Sequence, residues 1–310
     1  MENRILGLHH ITAIASDANK NLDFYTRVLG LRLVKKTVNF DDPGTYHFYF
    51  GNESGEAGTI LTFFPWQGIG RGRSGAGMAT HIGYAVAKGA LGFWKDRLST
   101  QQISFGDREI MGEKYISFQD PDGLELQFIE PSHEDKRKVW TTSDIKADVA
   151  LKGFHNVTLT LRNSEATARV LTDIFGYQLH QQEGNRLRFA TDAVNAANLI
   201  DILEDPSAPR GHNAAGTNHH IAFRVKDEKV LMEFREKILS VGMNITPKID
   251  RDYFYSLYFR EPGGVLFEIA TDNPGFTVDE PLEELGAKLM LPKQYEGSRE
   301  EIEGVLPELR

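Results

Sequence analysis

The feature that most constrains the fold of this chain is a pattern that it repeats four times. The first and third copies open with Gly7–Thr12 and Gly153–Thr158, and alternating apolar residues follow, as in a β-strand. Helical patterns come next, near Ala18–Leu29 and Ser164–Phe175, and each is closed by a glycine, a common helix cap. Another strand-like run follows each glycine. These two copies therefore predict a strand, a helix and further strands.

The second and fourth copies match each other in the same way. Thr80–Ile82 is similar to His219–Ile221, and a helical stretch follows each of them. Both copies close with a turn that contains proline and glycine and with an alternating strand, in Asp120–Phe128 and Glu261–Ile269. We therefore predict an α+β fold of four βαβββ modules, which begin near residues 5, 79, 152 and 217.

A polar linker, Ser132–Asp148, separates the two pairs of modules. We predict an N-terminal domain of two modules in residues 1–140 and a C-terminal domain of two modules in residues 150–275. Residues 276–310 lie outside the repeat and contain two helix-start patterns, so we expect a helical tail that packs across the body. The tail could serve as a lid or form a simple surface helix, and both interpretations stay open.

Composition narrows the classes of function. The formal net charge of −9 argues against binding to nucleic acid or to an anionic membrane, since both need basic surfaces. The chain has no cysteine, so a metal would be bound by nitrogen and oxygen ligands. We find neither a signal peptide nor an apolar run that could span a bilayer. We therefore expect a cytoplasmic protein, with a homodimer as one assembly open to it.

Comparison of equivalent positions in the four modules identifies candidate metal ligands. The first-strand positions are His10, His81, Asn156 and His220. In the last strands of modules two and four, Gln127 and Glu268 each lie four residues after an aligned glycine. The other two last strands align less clearly, with Thr62 and Asp201 as the nearest equivalents. Only modules one and four together supply two histidines and a carboxylate, so we predict that modules two and three form an inactive copy.

Modules with a histidine on the first strand and an acid on the last resemble the vicinal-oxygen-chelate superfamily, which includes glyoxalases, bleomycin resistance proteins and extradiol dioxygenases. The resemblance covers about residues 4–275. Leu8–Thr12, Asn218–Phe223 and Tyr258–Asp272 are most similar to the hydroquinone-type ring-cleaving dioxygenases of that superfamily. The resemblance implies modules paired into two half-barrel, cup-shaped sheets. It also implies Fe(II) as the metal, with Mn(II) as an alternative, and a small aromatic substrate together with O2.

The predicted metal ligands are His10, His220 and Glu268, the ligand set of non-haem Fe(II) oxygenases. We choose the second histidine of each pair because it directly precedes an isoleucine, in register with His81. Thr12 shares the strand face of His10 and joins the candidate site. Taken singly, a histidine can be structural and a strand-end carboxylate can pair with an arginine. The coincidence of three separated positions favours the metal site.

The resemblance also implies residues around the metal. His9 and His219 precede the ligands. Pleating points them to the opposite face of the strand, whereas in the family the paired histidines lie in or near the surroundings of the metal. Arg251 and Tyr258 correspond to residues that contact a substrate oxygen, a role that suits a permanently charged guanidinium and a phenol. A surface ion pair for the arginine and a core position for the tyrosine stay open.

These residues favour an extradiol-type dioxygenase that inserts O2 next to a ring hydroxyl of a hydroquinone or catechol. The first alternative is a glyoxalase-type isomerase or lyase, against which Thr62 in place of an acid argues. The second is a non-catalytic small-molecule binding or resistance protein, usually a two-module chain. The glycine-rich stretch 68–77 lacks the context of a phosphate-binding loop, and we expect it to be a linker that lets module one pair with module four.

Overall fold

The computed structural model describes residues 3–310, which contain sixteen β-strands and five α-helices. The strands are β1 Leu8–Ala15, β2 Arg32–Asn39, β3 Asp42–Gly51, β4 Ile60–Pro65, β5 Met78–Ala85, β6 Phe105–Ile110, β7 Glu113–Gln119, β8 Glu125–Ile129, β9 Gly153–Leu161, β10 Gln178–Glu183, β11 Arg186–Ala190, β12 Leu199–Glu204, β13 Thr217–Val225, β14 Ile249–Asp250, β15 Phe254–Arg260 and β16 Leu266–Pro274. The helices are α1 Ala18–Asp23, α2 Leu91–Thr100, α3 Glu165–Arg169, α4 Glu228–Ser240 and α5 Arg299–Val305. No helix within residues 3–310 has both the length and the apolar character needed to cross a membrane.

The strands form two curled sheets of eight strands each. Their orders are β14-β15-β16-β13-β1-β4-β3-β2 and β10-β11-β12-β9-β5-β8-β7-β6. Modules one and four share the first sheet and meet through the antiparallel pair β1 and β13. Modules two and three share the second sheet and meet through β5 and β9. The predicted α+β fold of four modules in two half-barrel sheets is confirmed, and each sheet takes one module from each half of the sequence.

The first helices of modules one and three end at a glycine, as predicted. Gly30 and Gly176 have φ angles of +68° and +78°, a left-handed conformation that a side chain would strain. The amide of Leu31 donates to the carbonyl of Tyr25, six residues earlier, at 2.9 Å and so satisfies one of the free carbonyls at the helix end. The observed helices differ from the predicted continuous ones because the last turn of each is a π-helical turn.

Two buried acids at the turns before β8 and β16 connect modules that are neighbours in the sequence. Asp120 accepts hydrogen bonds from the amides of its own turn and from the Tyr25 hydroxyl of module one, at 3.0 Å. Burial raises the pKa of Asp120 to about 6. Glu261 likewise accepts from its own turn and from the Thr167 hydroxyl of module three, at 2.6 Å. Helix-to-turn contacts therefore join modules within each half, while the sheets join the halves.

The tail packs against β2 and the turn between β2 and β3. The fully buried Lys35 ammonium donates to the carboxylates of Asp279, at 2.6 Å, and of Glu280. The Tyr295 hydroxyl donates to the Phe40 carbonyl at 2.6 Å. One of the two helix-start patterns forms α5, and the other forms only a 3₁₀ turn over Leu282–Glu284. Because residues 39–42 form one wall of the candidate site, the tail supports that wall from outside.

Candidate metal centre

The three predicted ligands lie side by side on neighbouring strands of the first sheet. His10 on β1 is in register with Ala222 on β13, and Ala222 is in register with Glu268 on β16. His220 lies two residues before Ala222 and therefore projects from the same face of the sheet. The strand register alone therefore brings one histidine from module one and one from module four close to Glu268.

The side chains of His10, His220 and Glu268 converge at one point. Their ligand atoms all lie within 4.8 Å of one another, and within residues 3–310 they are the one group of three or more such side chains placed to hold a metal ion. Glu268 Oε2 is 3.1 Å from His10 Nε2 and 2.9 Å from His220 Nε2. The Glu268 side chain is fully buried, and both imidazoles are nearly so. The geometry suits a divalent transition metal with positions left open for other ligands.

The preceding histidines do not follow the simple alternation expected from pleating. His9 and His219 are the extra residues of two β-bulges, since the register between β1 and β13 slips at each of them. The bulges turn each histidine back toward its neighbour. His9 Nδ1 lies 2.9 Å from His10 Nδ1, and His219 Nδ1 lies 2.8 Å from His220 Nδ1. A strict period of two therefore does not describe these strands, because each bulge changes the direction of the histidine at which it occurs.

These imidazole pairs fix the ligand histidines. With Nδ1 hydrogen-bonded to the neighbouring ring, His10 and His220 each present Nε2 toward Glu268. Such an outer hydrogen bond orients a metal-bound imidazole and sets its tautomer. Burial lowers the pKa of His220 against the opposing effect of Glu268, which favours the neutral ring that a metal binds. Burial also lowers the pKa of His219, to about 3.

Glu268 is held as an anion despite its burial. Burial raises the pKa of its carboxyl group, but the adjacent His10 and His220 outweigh that effect and hold the pKa well below its usual range. The Ser256 hydroxyl donates a hydrogen bond to Oε1, which leaves Oε2 to face the two imidazoles. Sequence comparison did not single out Ser256. The residue that faces Glu268 across β15 in strand register is Tyr258.

Orphaned polar atoms show that the three residues fit a metal ion. Although His220 Nε2 and Glu268 Oε2 are only 2.9 Å apart, they are not aligned as a hydrogen bond. Both atoms are buried and lack a hydrogen-bond partner among the described residues. A buried polar atom without a partner is costly, and a bound cation would satisfy both atoms at once. The donor set of two nitrogens and one oxygen matches non-haem iron and manganese sites.

A cavity of about 490 Å³ opens from the ligands. Its walls carry mostly aromatic side chains and a few polar ones: Phe40, His47, Tyr49, Phe64, Trp66, His219, Arg251, Phe254 and Tyr258, with Thr12 beside His10. The volume falls within the range of small-molecule sites. A larger and more open cavity of about 1380 Å³ lies beside His9 and reaches none of the three ligands. The smaller cavity is therefore the candidate substrate pocket.

Arg251 and Tyr258 form one wall of this pocket, next to the ligands. Arg251 Nε donates to the Tyr258 hydroxyl at 3.3 Å, and the guanidinium also lies over the tyrosine ring. The rings of Tyr258 and His220 are 5.6 Å apart. Burial and the nearby Glu268 raise the pKa of Tyr258, so the phenol stays protonated. Both predicted substrate-contacting residues thus lie in the pocket, with a positive charge close to a neutral donor.

The opposite wall holds His47 and Tyr49, which sequence comparison missed, and Thr62 behind them. Thr62 occupies the position that Glu268 has in module four, and it is fully buried. Its hydroxyl lies 2.9 Å from Thr12 Oγ1 and 2.9 Å from His47 Nε2. On the other side of the His47 ring, the Tyr49 hydroxyl lies 3.0 Å from Nδ1 and forms a hydrogen bond with it. In the sequence, the one indication of this group is His47, a polar residue inside the apolar run of β3. The motifs that were aligned between modules do not include this strand.

The second sheet carries the corresponding positions, but among residues 3–310 they do not form a group of metal-ligating side chains. Strand register makes Asn156, His81, Gln127 and Asp201 equivalent to His10, His220, Glu268 and Thr62. The Arg188 guanidinium forms a double hydrogen bond with Asp201, at 2.7 and 3.0 Å, and lies against the same small cavity as Asn156 and Gln127. The residual cavity is only about 10 Å³. The guanidinium of Arg188, an internal cation, thus lies in the part of the second sheet that corresponds to the candidate metal site of the first.

We predict that His219→Ala weakens metal binding without abolishing it. Removing the partner of His220 Nδ1 frees the ligand ring to rotate, and such outer hydrogen bonds change metal affinity by roughly 10–100-fold. The dissociation constant for Fe(II) can be measured by competition with a chromogenic chelator. His212→Ala, at an exposed histidine outside the site, is the control. Equal affinities for the two variants would show that His219 does not support the ligand.

Comparison with known proteins places the chain in a family. The model of the glyoxalase/bleomycin resistance protein/dioxygenase superfamily matches residues 7–128 and 153–269. MhqO of Bacillus subtilis, described as a candidate ring-cleaving dioxygenase, is 47% identical and aligns with 99% of this chain and 98% of its own. The chlorohydroquinone/hydroquinone 1,2-dioxygenase of Sphingobium indicum is 36% identical and aligns with 96% of this chain and 95% of its own.

Comparison with solved structures supports the same family assignment. A crystal structure of a candidate dioxygenase from Bacillus subtilis superposes with a TM-score of 0.96 at 46% identity, over 99% of this chain and 98% of that one. Glyoxalase I from Zea mays shares the fold, with a TM-score of 0.62 at 13% identity over 87% of this chain and 92% of that one. The chain therefore belongs to the glyoxalase/bleomycin resistance protein/dioxygenase superfamily.

Proposed function

We propose that this protein is a ring-cleaving dioxygenase that acts on a hydroquinone or a catechol-like aromatic. The observation that carries the proposal is a buried group of two histidines and one glutamate at the end of an aromatic-lined pocket. Two imidazoles and one carboxylate with open positions are typical of Fe(II) oxygenases. The name of the Sphingobium relative supports the substrate class, since that protein is 36% identical along almost the whole chain.

We propose Fe(II) as the resident metal, with Mn(II) as the alternative that the same donor atoms accept. His10, His220 and Glu268 would hold it. Such a metal, when bound, brings a ring oxygen and O2 together and lets electrons pass between them. The chain contributes an anionic carboxylate, oriented by Ser256, and imidazoles whose outer nitrogens are occupied. These features organise the ligands before a metal arrives.

The pocket residues have separate roles in this proposal. Arg251 stabilises the ionised oxygen of the bound aromatic, because its guanidinium stays positive and faces the pocket. Tyr258 donates a hydrogen bond to the same region and keeps its proton. His219 and Thr12 lie next to the ligands and can exchange protons with reacting oxygens. The aromatic side chains exclude water and stack against the ring of the substrate.

The proposed reaction breaks the ring carbon–carbon bond beside a hydroxylated carbon. Both atoms of O2 enter the ring-opened product, and the aromatic substrate supplies all the electrons, so no separate reductant is required. A glyoxalase-type isomerisation is less favoured, because those sites commonly contain a second acid and the equivalent position here is Thr62. A purely binding role would not need the complete ligand set.

Oxygen uptake tests the proposed function. Protein purified without air and loaded with Fe(II) should consume O2 when a hydroquinone or catechol is added. With ¹⁸O2, mass spectrometry of the ring-opened product should show two labelled oxygen atoms before any exchange with water. No oxygen uptake across a panel of substituted hydroquinones and catechols, together with zinc or nickel as the native metal, would contradict the proposal.

A further inference from the structure

A continuous chain of four hydrogen-bonding side chains runs along the pocket wall opposite Arg251. Thr12 Oγ1 contacts Thr62 Oγ1 at 2.9 Å, Thr62 contacts His47 Nε2 at 2.9 Å, and His47 Nδ1 contacts the Tyr49 hydroxyl at 3.0 Å. All four side chains are buried. Thr12, His47 and Tyr49 line the cavity that also contains His10 and His220, so both ends of the chain face the same pocket.

Every member of this chain can both donate and accept a hydrogen bond. Hydroxyl groups do so by rotation, and a neutral imidazole does so by carrying its proton on one nitrogen only. The protons of this hydrogen-bonded chain can therefore be arranged in two ways, and in each of them all the hydrogen bonds run in the same direction. In one, the donors run from Tyr49 to Thr12, and the Thr12 hydroxyl is free to donate into the pocket. In the other, the direction is reversed, and the Tyr49 hydroxyl is the free donor.

The surroundings keep the chain uncharged. Burial, followed by His10 and His220, lowers the pKa of His47 well below its usual range, so the ring is neutral near pH 7. Burial also raises the pKa of Tyr49 well above its usual range, so the phenol keeps its proton. A neutral imidazole between a phenol and an alcohol is the arrangement in which the imidazole tautomer can change without any group becoming charged.

We propose that Thr12, Thr62, His47 and Tyr49 form a proton relay in which His47 is the central positioning residue. The proposal rests on the proposed dioxygenase function. A substrate hydroxyl gives its proton to Tyr49 oxygen, and the Tyr49 proton moves to His47 Nδ1. The Nε2 proton moves to Thr62, the Thr62 proton to Thr12, and the Thr12 proton to an oxygen acceptor in the pocket. One O–H bond is broken and one is formed at the two ends, with no net change in charge within the relay.

Comparison with equivalent positions supports this inference. Strand register places Tyr49 opposite Thr62 and Arg188 opposite Asp201, so Tyr49 and His47 correspond to Arg188 and Arg186 of the second sheet. The arginines there are permanently charged and cannot pass a proton. Only the sheet with the candidate metal ligands carries neutral groups at these positions. The relay groups therefore occur where the proposed chemistry would use them.

The first test removes the centre of the relay and restores it from solution. His47→Ala should lower kcat by at least tenfold, in line with the usual contribution of proton transfer, with KM and iron content changed less than about threefold. Added imidazole should restore kcat. Added 1-methylimidazole should not, because it fills the same space and can bind metal but has no second exchangeable nitrogen. Equal rescue by both compounds, or a change in KM alone, would overturn the relay.

A second variant covers the case in which His47→Ala does not fold. Thr62→Val keeps the size of the side chain and breaks the chain of hydroxyls, so kcat should fall while iron content stays the same. Thr160→Val is the matched control, because Thr160 forms a comparable 2.8 Å hydroxyl pair with Thr80 in the second sheet. Equal kcat for the two valine variants would overturn the relay.

A third measurement separates the relay from the proposed function. Nitrogen NMR of the zinc-loaded protein should show His47 as a neutral ring protonated at Nε2, since a phenol is a stronger donor to Nδ1 than an alcohol. Tyr49→Phe should abolish the hydrogen-bond shift at Nδ1. A charged ring, or no change in Tyr49→Phe, would overturn the relay even if the wild type proved inactive. Absence of oxygen uptake by the wild type together with the expected spectra would overturn only the proposed reaction.

Discussion

Glu268→Gln is expected to abolish stable metal binding and, with it, oxygen-dependent turnover. The carboxylate is the only anion among the three proposed ligands and lies fully buried between two imidazoles. A neutral amide of the same size binds a divalent transition metal far more weakly. Because loss of an outer hydrogen bond already costs roughly 10–100-fold in affinity, loss of the charged ligand should cost at least the upper end of that range. Metal content after gel filtration, measured by mass spectrometry, reports the effect.

The matched control for this substitution lies in the second sheet. His81 occupies the position equivalent to His220, and the position equivalent to Glu268 in that sheet is Gln127, a neutral amide. His81→Ala should retain the metal content of the wild type. An unchanged β-sheet circular dichroism spectrum shows that each variant is folded. Metal loss in His81→Ala, with retention in Glu268→Gln, would move the site to modules two and three.

The internal repeat was enough to predict the four modules and the three candidate ligands, whereas the two half-barrel sheets were implied by the family resemblance. Equivalent residues of a duplicated module occupy equivalent strand positions, so one sequence contained its own alignment. His10 and His220 could be selected because their register with His81 was visible along the chain. Glu268 could be selected because the equivalent Gln127 is not an acid. Pairing of module one with module four followed from which modules supplied the complete ligand set.

The surroundings of the ligands could not be predicted in the same way. The bulges at His9 and His219 arise from the pairing of two strands that are far apart in the sequence, and neither strand alone reveals a slip of register. Ser256 and His47 lie outside the sequence motifs that could be aligned between modules. Their roles depend on which side chains face them across a strand pair, and this is decided only when the sheet forms.

The fate of the second site was predicted only in part. The loss of its ligands was visible from Asn156 and Gln127, but its replacement by an internal cation was not. Arg188 and Glu113 lie on strands of different modules and meet only in the folded protein, at 2.5 Å. The sequence around an arginine on the exposed face of a strand is similar to the sequence around an arginine buried on the concave face of a sheet. The structure therefore places a buried arginine, paired with two acids, in the sheet that lacks the candidate ligands.

Arg188→Leu is expected to destabilise the protein by about 3–5 kcal/mol, the usual cost of breaking a buried ion pair from one side. The Arg188 side chain is 5% exposed and the Asp201 side chain 1% exposed, so neither charge is screened by water. Removal of the guanidinium leaves Asp201 with Asn156 and a longer contact to Arg186, at 2.8 and 3.4 Å. For a chain of this size, the midpoint of thermal unfolding should fall by roughly 5–8 °C.

Two further variants distinguish this loss from a general effect of removing an arginine. Arg169→Leu breaks an exposed pair with Glu165 and should cost at most about 0.5 kcal/mol. In Arg188→Leu combined with Asp201→Leu no unpaired carboxylate remains at position 201, so the double variant should be less destabilised than the sum of the single ones. Additive losses, or a loss below about 1 kcal/mol for Arg188→Leu, would contradict the role of the guanidinium as an internal cation. Metal content should stay unchanged in all of these variants. The concave face of the second sheet contributes to the stability of the fold but supplies no ligand to the metal.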